Sequence, residues 1–275
     1  MNAKNRTVAW AATMLAAGII LAGCSKSQPP AESSATQPPK TEAPAQPPAT
    51  APAPPETKPE PAAAAATAAK KPAEPANNYG KELLSPAKLK EKAPETYKVK
   101  FDTTRGEFTI TVTRAWAPLE ADRFYNLVKH HFYDNAAFFR VVPNFVVQFG
   151  ISANPAVNSA WEHVAMKDDP PAQTNKRGTI TFAQTGNPNS RGTQVFINLK
   201  DNARLDRMGQ GFAPFGVVDG NGMNVVEMMY DGYGDSAGPD QDQLQKQGDP
   251  YLRKGWPKLD HIKSATLVGA TATAR

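Results

Sequence analysis

Residues 137–150 read Ala-Phe-Phe-Arg-Val-Val-Pro-Asn-Phe-Val-Val-Gln-Phe-Gly, an almost continuous apolar run that contains one arginine and one glutamine. Two extended segments, Phe138–Val142 and Phe145–Gln148, flank a Pro-Asn pair, which predicts a strand, a turn and a second strand. Asn144 stands at a turn position where a left-handed backbone is natural, and Asn tolerates it better than most residues. Arg140 lies where a charged side chain normally needs a partner or a chemical role. A strand-edge arginine whose stem packs on apolar surface is the alternative.

Short extended segments continue on both sides of this run. Two of them, Tyr97–Asp102 and Glu107–Thr113, alternate apolar and polar residues around a Thr-Thr-Arg-Gly turn, which predicts a β-hairpin. Pro118 begins a helix that is predicted to end near His131. The remaining predicted elements are strands at residues 178–183, 194–198, 213–218 and 261–268, a short helix at 225–229 and a long loop at 151–176. Many short strands with two or three helices favour a mainly β fold, a closed antiparallel barrel with helical caps.

The first residues of the chain have the pattern of an export signal. Lys4 and Arg6 precede an apolar stretch, residues 8–21, that is too short for a comfortable transmembrane helix. The tetrad Leu-Ala-Gly-Cys then ends at Cys24 and resembles a bacterial lipobox, in which the cysteine is lipidated and becomes the first residue of the mature chain. We therefore expect a signal peptide at residues 1–23 and a lipid anchor on Cys24. An ordinary signal peptide with an incidental cysteine is the alternative.

A linker is predicted between this signal and the folded domain. Residues 24–94 hold more than half of the 26 prolines and few large apolar side chains, so we expect a disordered, extended spacer. A Pro-rich ligand for SH3-type or WW-type domains is the alternative. Ser25, after the lipidated position, implies the outer membrane, so the expected location is the bacterial cell envelope, facing the periplasm. Residues 95–268 form the predicted domain and residues 269–275 a flexible tail.

Charge and composition disfavour several functions. Residues 1–94 hold 11 Lys and Arg against 7 Asp and Glu, whereas residues 95–275 hold 20 against 19. Nucleic-acid binding needs a concentrated basic surface, which the nearly neutral domain does not offer. The four histidines are scattered and the single cysteine lies in the leader, which disfavours a metal centre and leaves no disulfide within the chain. Ser190 has no histidine near it in sequence, so a hydrolase lacks support, although pairing in space stays open.

Four motifs, taken together, resemble one family. They are Phe-Phe-Arg-Val-Val-Pro-Asn-Phe-Val-Val-Gln at residues 138–148, Arg-Gly-Thr-Ile-Thr-Phe-Ala at 177–183, Gln-Val-Phe-Ile-Asn at 194–198 and Gly-Phe-Ala-Pro-Phe-Gly at 211–216. In order and spacing they are similar to the motifs of the cyclophilins, which are peptidyl-prolyl cis-trans isomerases, and the similarity covers residues 95–268. It implies a cyclophilin-like eight-stranded antiparallel barrel closed by two helices, with the active site outside the barrel. We expect a monomeric enzyme without metal or cofactor that acts on proline-containing segments of exported proteins.

Prolyl isomerisation breaks no bond but must overcome amide resonance, a barrier of ~18–20 kcal/mol. A donor aimed at the prolyl nitrogen lowers this barrier, because that nitrogen gains a lone pair only when the amide is twisted. Arg140, which stays charged at any working pH, is the expected donor. The resemblance implies that Gln148 orients the guanidinium. It also implies the substrate-contacting residues: Phe145, Val146, Phe196 and Leu205 around the proline, Ala183 and Gln184 on the peptide backbone, Gln194 in the same groove, and Phe212.

Several residues depart from the common pattern of the family. Gln184 stands where Asn is frequent and keeps the same amide group on a longer arm, Phe212 stands where His is common, and Arg204 replaces an aromatic residue. We expect proline binding to survive and the sensitivity to cyclosporin-type ligands to be weak. The rival hypothesis is a non-catalytic module that holds Pro-containing segments as a chaperone or scaffold. The retained arginine argues for catalysis.

Overall fold

Antiparallel strands dominate residues 79–269, the part of the chain that this computed structural model describes. The strands are β1 (Thr96–Thr103), β2 (Gly106–Thr113), β3 (Arg140–Val142), β4 (Val146–Phe149), β5 (Thr179–Phe182), β6 (Val195–Asn198), β7 (Gly216–Val218) and β8 (Ile262–Val268). They form one eight-stranded sheet in the order β3-β4-β6-β5-β7-β2-β1-β8, and its neighbouring strands are antiparallel. Each strand lies where the sequence predicts an extended segment, so the mainly β prediction is confirmed.

The two end strands of the sheet, β3 and β8, are joined just before they begin. The backbone N–H of Phe138 donates to the carbonyl of Asp260 over 2.9 Å, and that of Ile262 donates to the carbonyl of Ala136 over the same distance. These bonds flank an isolated antiparallel bridge. The sheet therefore curls around a common interior, as the barrel prediction requires.

Side chains alternate between the interior and the surface along each long strand. In β1, Tyr97, Val99 and Phe101 are buried, while the residues between them are exposed or half-buried. This period of two is typical of a strand with one face on a core. The rings of Phe101 and Phe108, from β1 and β2, stack with their centroids 4.9 Å apart. Aromatic packing of this kind fills the interior of the curled sheet.

Five α-helices accompany the sheet among residues 79–269, more than the two that the resemblance implied. They are α1 (Pro118–Lys129), α2 (Pro155–Trp161), α3 (Gly222–Val226), α4 (Gln241–Gln247) and α5 (Asp249–Gly255). The longest, α1, begins at the predicted proline and buries Ala121, Phe124 and Leu127 in the main core. This spacing places the three side chains on one face of the helix.

The prediction of a loop at residues 151–176 is wrong, because α2 lies within it. The side chain of Asn154 caps this helix, and its Oδ1 accepts hydrogen bonds from the backbone N–H groups of Ala156 and Val157. Pro155 occupies the first turn, where its missing N–H costs nothing. The Asn-Pro pair was therefore a helix-start signal, although Asn-Pro also favours turns.

The chain already packs against the domain core before residue 95. Leu83 is fully buried in the main core, and its carbonyl accepts a hydrogen bond from Trp161 Nε1 over 2.9 Å. Two short 3₁₀ turns, Lys81–Leu84 and Pro86–Lys88, carry the chain over the surface of the domain. Residues 79–94, which the sequence assigned to the linker, therefore pack on the domain.

Residues 230–257, which we call the accessory segment, form a second layer of packing that contains α4 and α5. Leu244 and Leu252 are buried against Phe139 and Ile151 in an apolar cluster separate from the main core. Phe139 immediately precedes β3. The accessory segment therefore packs beside the strand that carries the arginine of the apolar run.

Several predicted features lie outside the described residues. They are the signal peptide, Cys24, most of the linker and nearly all of the C-terminal tail. Between residues 79 and 269, none of the helices combines the length and the apolar character needed to cross a membrane.

Candidate active site

The β3–β4 hairpin brings Arg140 and Gln148 side by side. The two residues are partners in the antiparallel register, so their side chains leave the sheet on the same face. Arg140 Nη1 donates to Gln148 Oε1 over 3.0 Å. The tight turn between the strands holds Asn144 at a φ of 55°, the left-handed conformation that the sequence predicts there. This turn fixes the register and thereby the contact between the guanidinium and the amide.

The face that carries this pair points away from the barrel interior. In β4, Val147 and Phe149 belong to the main core, whereas Val146 belongs to a small separate cluster. Gln148 shares the face of Val146, because side chains alternate between the two faces of a strand. In β6, Phe196 also joins the small cluster while the residues on either side of it enter the core. The Arg140–Gln148 pair therefore lies on the outside of the barrel.

An apolar pocket lies beside this pair. Its buried members are Val146, Phe196 and Leu205, and the partly buried side chains of Phe145, Ala183 and Phe212 pack against them. Phe196 pairs with Gln148 in the register of β4 and β6, which sets the pocket next to the guanidinium. The rings of Phe196 and Phe212 meet edge to face with centroids 5.5 Å apart. The structure thus brings together side chains that the sequence analysis selected from motifs far apart in the chain.

Two guanidinium groups lie over the ring of Phe145. The central carbon of Arg140 is 5.7 Å from the ring centroid, and that of Arg204 is 5.6 Å from it. Cations at this distance are attracted by the ring quadrupole. Arg204 is exposed, and it has no carboxylate within ion-pair distance in the part of the chain that the structure describes. A second positive charge therefore lies at the edge of the apolar pocket.

A cleft of about 420 Å³ adjoins Gln148 and contains the predicted peptide-binding residues. Ala183, Gln184 and Gln194 line it. Gln194 Oε1 accepts a hydrogen bond from Gln148 Nε2 over 2.8 Å, so one chain of side-chain bonds runs from the guanidinium into the cleft. Further lining comes from two elements that the sequence analysis did not predict, Trp161 of α2 and Gln241 and Gln245 of α4.

Two hydrogen bonds from its amide nitrogen hold the side chain of Gln184 in place. Nε2 donates to the carbonyl oxygens of Met208 and Gly211, each over 3.3 Å. Its Oε1 is buried without a hydrogen-bond partner among residues 79–269. A buried amide oxygen in this state is an acceptor that no group of the described residues satisfies.

A buried contact between an arginine and a glutamate lies behind the loop at residues 184–193. Arg191 and Glu120 are both fully buried, and Arg191 Nε lies 2.9 Å from Glu120 Oε1. The guanidinium also donates to Asp168 and to the carbonyl of Gly211, the same carbonyl that Gln184 contacts. The contact therefore connects α1 to the loop at residues 184–193, and Arg191 connects that loop to Gly211.

Burial sets the protonation of this glutamate. It raises the pKa of Glu120 to about 8, although the charge of Arg191 opposes the shift. Glu120 Oε2 accepts a hydrogen bond from the backbone N–H of Phe182 over 3.0 Å. Desolvation exceeds the attraction in this case because neither side chain reaches water.

Arg140 has one further partner that the sequence did not indicate. Its Nε donates to Asp235 Oδ1 over 2.5 Å. Asp235 lies in the accessory segment, 95 residues later in the chain, within a stretch rich in glycine. No local pattern marks this carboxylate, so only the fold reveals the contact.

The hydrolase and metal-enzyme alternatives receive no support from residues 79–269. Ser190 Oγ donates to the carbonyl of Asn187 over 2.7 Å and accepts from the N–H of Thr185 over 3.0 Å, which are contacts within its own loop. Across residues 79–269, no three His, Cys, Asp or Glu side chains are grouped so that they could hold a metal ion.

Comparison with known proteins agrees with this geometry. The family described as cyclophilin type peptidyl-prolyl cis-trans isomerase/CLD matches residues 98–247. A peptidyl-prolyl cis-trans isomerase of Acinetobacter baylyi is 36% identical over 142 residues, which cover 48% of this chain and 70% of the relative. Peptidyl-prolyl cis-trans isomerase A of Dickeya dadantii is 33% identical over 147 residues, covering 52% of this chain and 76% of the relative.

Among solved structures, a cyclophilin type isomerase of Cryptosporidium parvum, crystallised in the presence of the dipeptide Ala-Pro, is similar with a TM-score of 0.46 and 19% identity. The match covers 62% of this chain and 98% of that one. The family match spans more than half of the chain, and the bacterial relatives are covered over more than two thirds of their length. The chain belongs to the cyclophilin-type peptidyl-prolyl cis-trans isomerases.

Proposed function

We propose that Arg140 carries the isomerase activity of this chain by donating a hydrogen bond to the prolyl nitrogen of the substrate. The observation behind this is the position of its guanidinium, 3.0 Å from Gln148 Oε1 and beside the apolar pocket. A guanidinium offers five N–H groups and stays protonated at any working pH. Gln148 and Asp235 each engage one of them, so donors remain for the substrate.

The apolar pocket holds the proline ring. Val146, Phe196 and Leu205 form its buried floor, and Phe145 and Phe212 flank it. Burial of an apolar side chain of this size contributes about 1.5–3 kcal/mol. With the ring held, the acyl part of the peptide is the part that turns about the C–N bond.

The guanidinium accelerates the reaction because it binds the twisted amide better than the planar amide. In the planar amide the nitrogen lone pair is delocalised and accepts a hydrogen bond poorly. In the twisted amide it is localised, so Arg140 stabilises the transition state more than the ground state. Each ~1.4 kcal/mol of this difference gives about a tenfold increase in rate. Gln148 keeps the guanidinium in place while the substrate turns.

The peptide backbone lies along the cleft. Ala183 and Gln184 bind it, and Gln194 lines the same path beside Gln148. The unpartnered Oε1 of Gln184 accepts a peptide N–H, and its Nε2 is held by two carbonyl groups. These contacts orient the segment without restricting rotation at the proline.

We also propose where the domain works. A lipid on Cys24 holds the protein in the cell envelope, the Pro-rich linker carries the domain away from the membrane, and the substrates are proline-containing segments of exported proteins. Three features of the sequence support this: the tetrad that ends at Cys24, Ser25 after it and the composition of the linker. The expected arrangement is a monomer attached to the outer membrane and facing the periplasm.

A protease-coupled isomerisation assay with an Ala-Pro peptide tests the activity. We expect the purified wild-type chain to accelerate isomerisation and Arg140→Ala to lose about a hundredfold of kcat/KM, as for removal of one transition-state donor. Arg177→Ala is the matched control, because this exposed arginine pairs with Glu227 and is not part of the pocket. Absence of activity in the folded wild-type chain, with several residues before the proline, would instead favour a binding module.

A further inference from the structure

The contact between Asp235 and Arg140 ties the accessory segment to the active site. Arg140 Nε donates to Asp235 Oδ1 over 2.5 Å, and a quarter of the Arg140 side chain is exposed, against 64% of Asp235. An exposed ion pair of this kind contributes little to stability. We therefore expect this contact to affect the orientation of the Arg140 guanidinium more than the stability of the fold.

The stretch that carries Asp235 is held on both sides. On one side, the carbonyl of Ala237 accepts a hydrogen bond from Trp256 Nε1 over 2.8 Å. On the other, Tyr233 packs against the apolar cluster that contains Phe139, and its ring meets Tyr230 edge to face at 5.1 Å. Phe139 adjoins Arg140 in the chain. The carboxylate and the guanidinium are thus supported by the same packed layer.

Two different atoms of the guanidinium are held by two different elements. Gln148 of β4 accepts from Nη1, and Asp235 of the accessory segment accepts from Nε. A single contact at Nη1 leaves the guanidinium free to swing about that bond. A second contact at Nε fixes the plane of the group, because the guanidinium is planar and rigid.

We propose that Asp235 is a positioning residue for the isomerase reaction, which orients the guanidinium of Arg140 so that its remaining N–H groups face the apolar pocket. This rests on the proposed role of Arg140 as the donor. Asp235 does not touch the substrate. Its loss therefore lowers the rate of the turning step and leaves peptide binding nearly unchanged.

Steady-state and exchange kinetics of the full chain with an Ala-Pro peptide test this. We expect Asp235→Ala to lower kcat about threefold to tenfold with KM within about twofold of wild type, since one charge-assisted hydrogen bond is removed. Asp235→Asn keeps an acceptor oxygen and should recover most of the loss. In ¹⁵N spectra with labelled arginine, the Arg140 Nε–H signal should move in Asp235→Ala and exchange faster with water.

Asp231→Ala is the matched control, because it removes an exposed carboxylate of the same segment. This carboxylate forms no ion pair among residues 79–269. It should leave kcat and the Arg140 signal unchanged. An Asp235→Ala variant with unchanged or higher kcat would overturn the inference, and so would an equal loss in an Arg140→Ala background. The activity of wild type against Arg140→Ala is measured in the same series, so failure of the donor role is told apart from failure of the positioning role.

Discussion

Two positively charged side chains, Arg140 and Arg204, lie over the single ring of Phe145. Arg140 has Asp235 and Gln148 as partners, whereas Arg204 is exposed and lies over the ring from the 3₁₀ turn Ala203–Arg207. A free positive charge at the rim of an apolar pocket attracts carboxylates. Arg204 is therefore expected to influence which residues the enzyme accepts next to the proline.

Reversal of this charge should change substrate preference. We expect Arg204→Glu to lower kcat/KM about threefold to tenfold for peptides with an acidic residue beside the proline and to raise it for peptides with lysine there. The measurement is an isomerisation assay with paired Glu and Lys peptides at low and high salt. Arg207→Glu is the control, since it reverses an exposed charge of the same turn that does not lie over Phe145. Equal effects of the two variants would mean that only the overall charge matters.

The residues of the site differ in how far the sequence could reveal them. Arg140 and Gln148 were visible because a cation and an amide stand out in an apolar run, and the two-residue period places them on one face. Asp235 carried no signal, and Arg204 was noted only as a departure from the family pattern, without its contact to Phe145. Their contacts depend on elements that come together only in the folded chain, and neither position carries a local pattern.

At the scale of elements, a buried contact between Arg191 and Glu120 lies behind the loop at residues 184–193. Arg191 and Glu120 contact each other without exposure to water, and Asp169 adds a second carboxylate near the glutamate. Burial raises the pKa of Glu120 from its ordinary value of 4.5 to about 8. The folded chain therefore keeps a proton on this carboxyl in a pH range where the unfolded chain releases it.

This difference predicts how stability changes with pH. Between about pH 4.5 and 8 the native state binds more protons at Glu120 than the unfolded state, so its contribution to the free energy of unfolding falls as pH rises. Glu120→Gln, which keeps a neutral acceptor for the Phe182 N–H, should flatten this part of the profile. Melting temperatures measured across this range for the variant, for wild type and for Glu95→Gln, an exposed control, provide the test. Parallel profiles for all three would contradict it.

The helices show where the sequence analysis failed and why. The β1–β2 hairpin and α1 were predicted from periods of two and of 3.6 residues, and β3 and β4 from an apolar run divided by a Pro-Asn turn. Helices α2, α4 and α5 were missed because each has no more than seven residues, too few to establish a period. Their start signals, Asn154 and Asp240 as caps, also occur in turns. Two of these helices line the cleft, so part of the predicted binding site was missed with them.

The whole molecule combines an isomerase domain with a predicted lipid-anchored leader. If Cys24 is lipidated as proposed, the isomerase meets only clients that reach the same compartment, and the anchor determines which proteins it acts on. The proline-rich linker is predicted to hold the domain at a distance from the membrane. Both features remain predictions that rest on sequence.

Fractionation of cells tests the anchor. We expect the wild-type protein in the membrane fraction and Cys24→Ser in the soluble fraction or as unprocessed precursor, because the proposed lipid is attached to that sulfur. Ser25→Ala serves as the control, since it changes the neighbouring residue and keeps the cysteine. Unchanged membrane association of Cys24→Ser would end the lipoprotein hypothesis and leave the isomerase domain unaffected.

The most direct test of the central claim separates binding of the peptide from its isomerisation in one experiment. NMR exchange spectroscopy of an Ala-Pro peptide with the wild-type chain and with Arg140→Ala gives both the dissociation constant and the rate of cis-trans exchange on the protein. A donor that acts on the twisted amide should, when removed, lower the exchange rate about a hundredfold and change the dissociation constant less than about threefold. Exchange that continues at the wild-type rate in Arg140→Ala, with the peptide still bound, would contradict the assignment of the arginine as the catalytic donor.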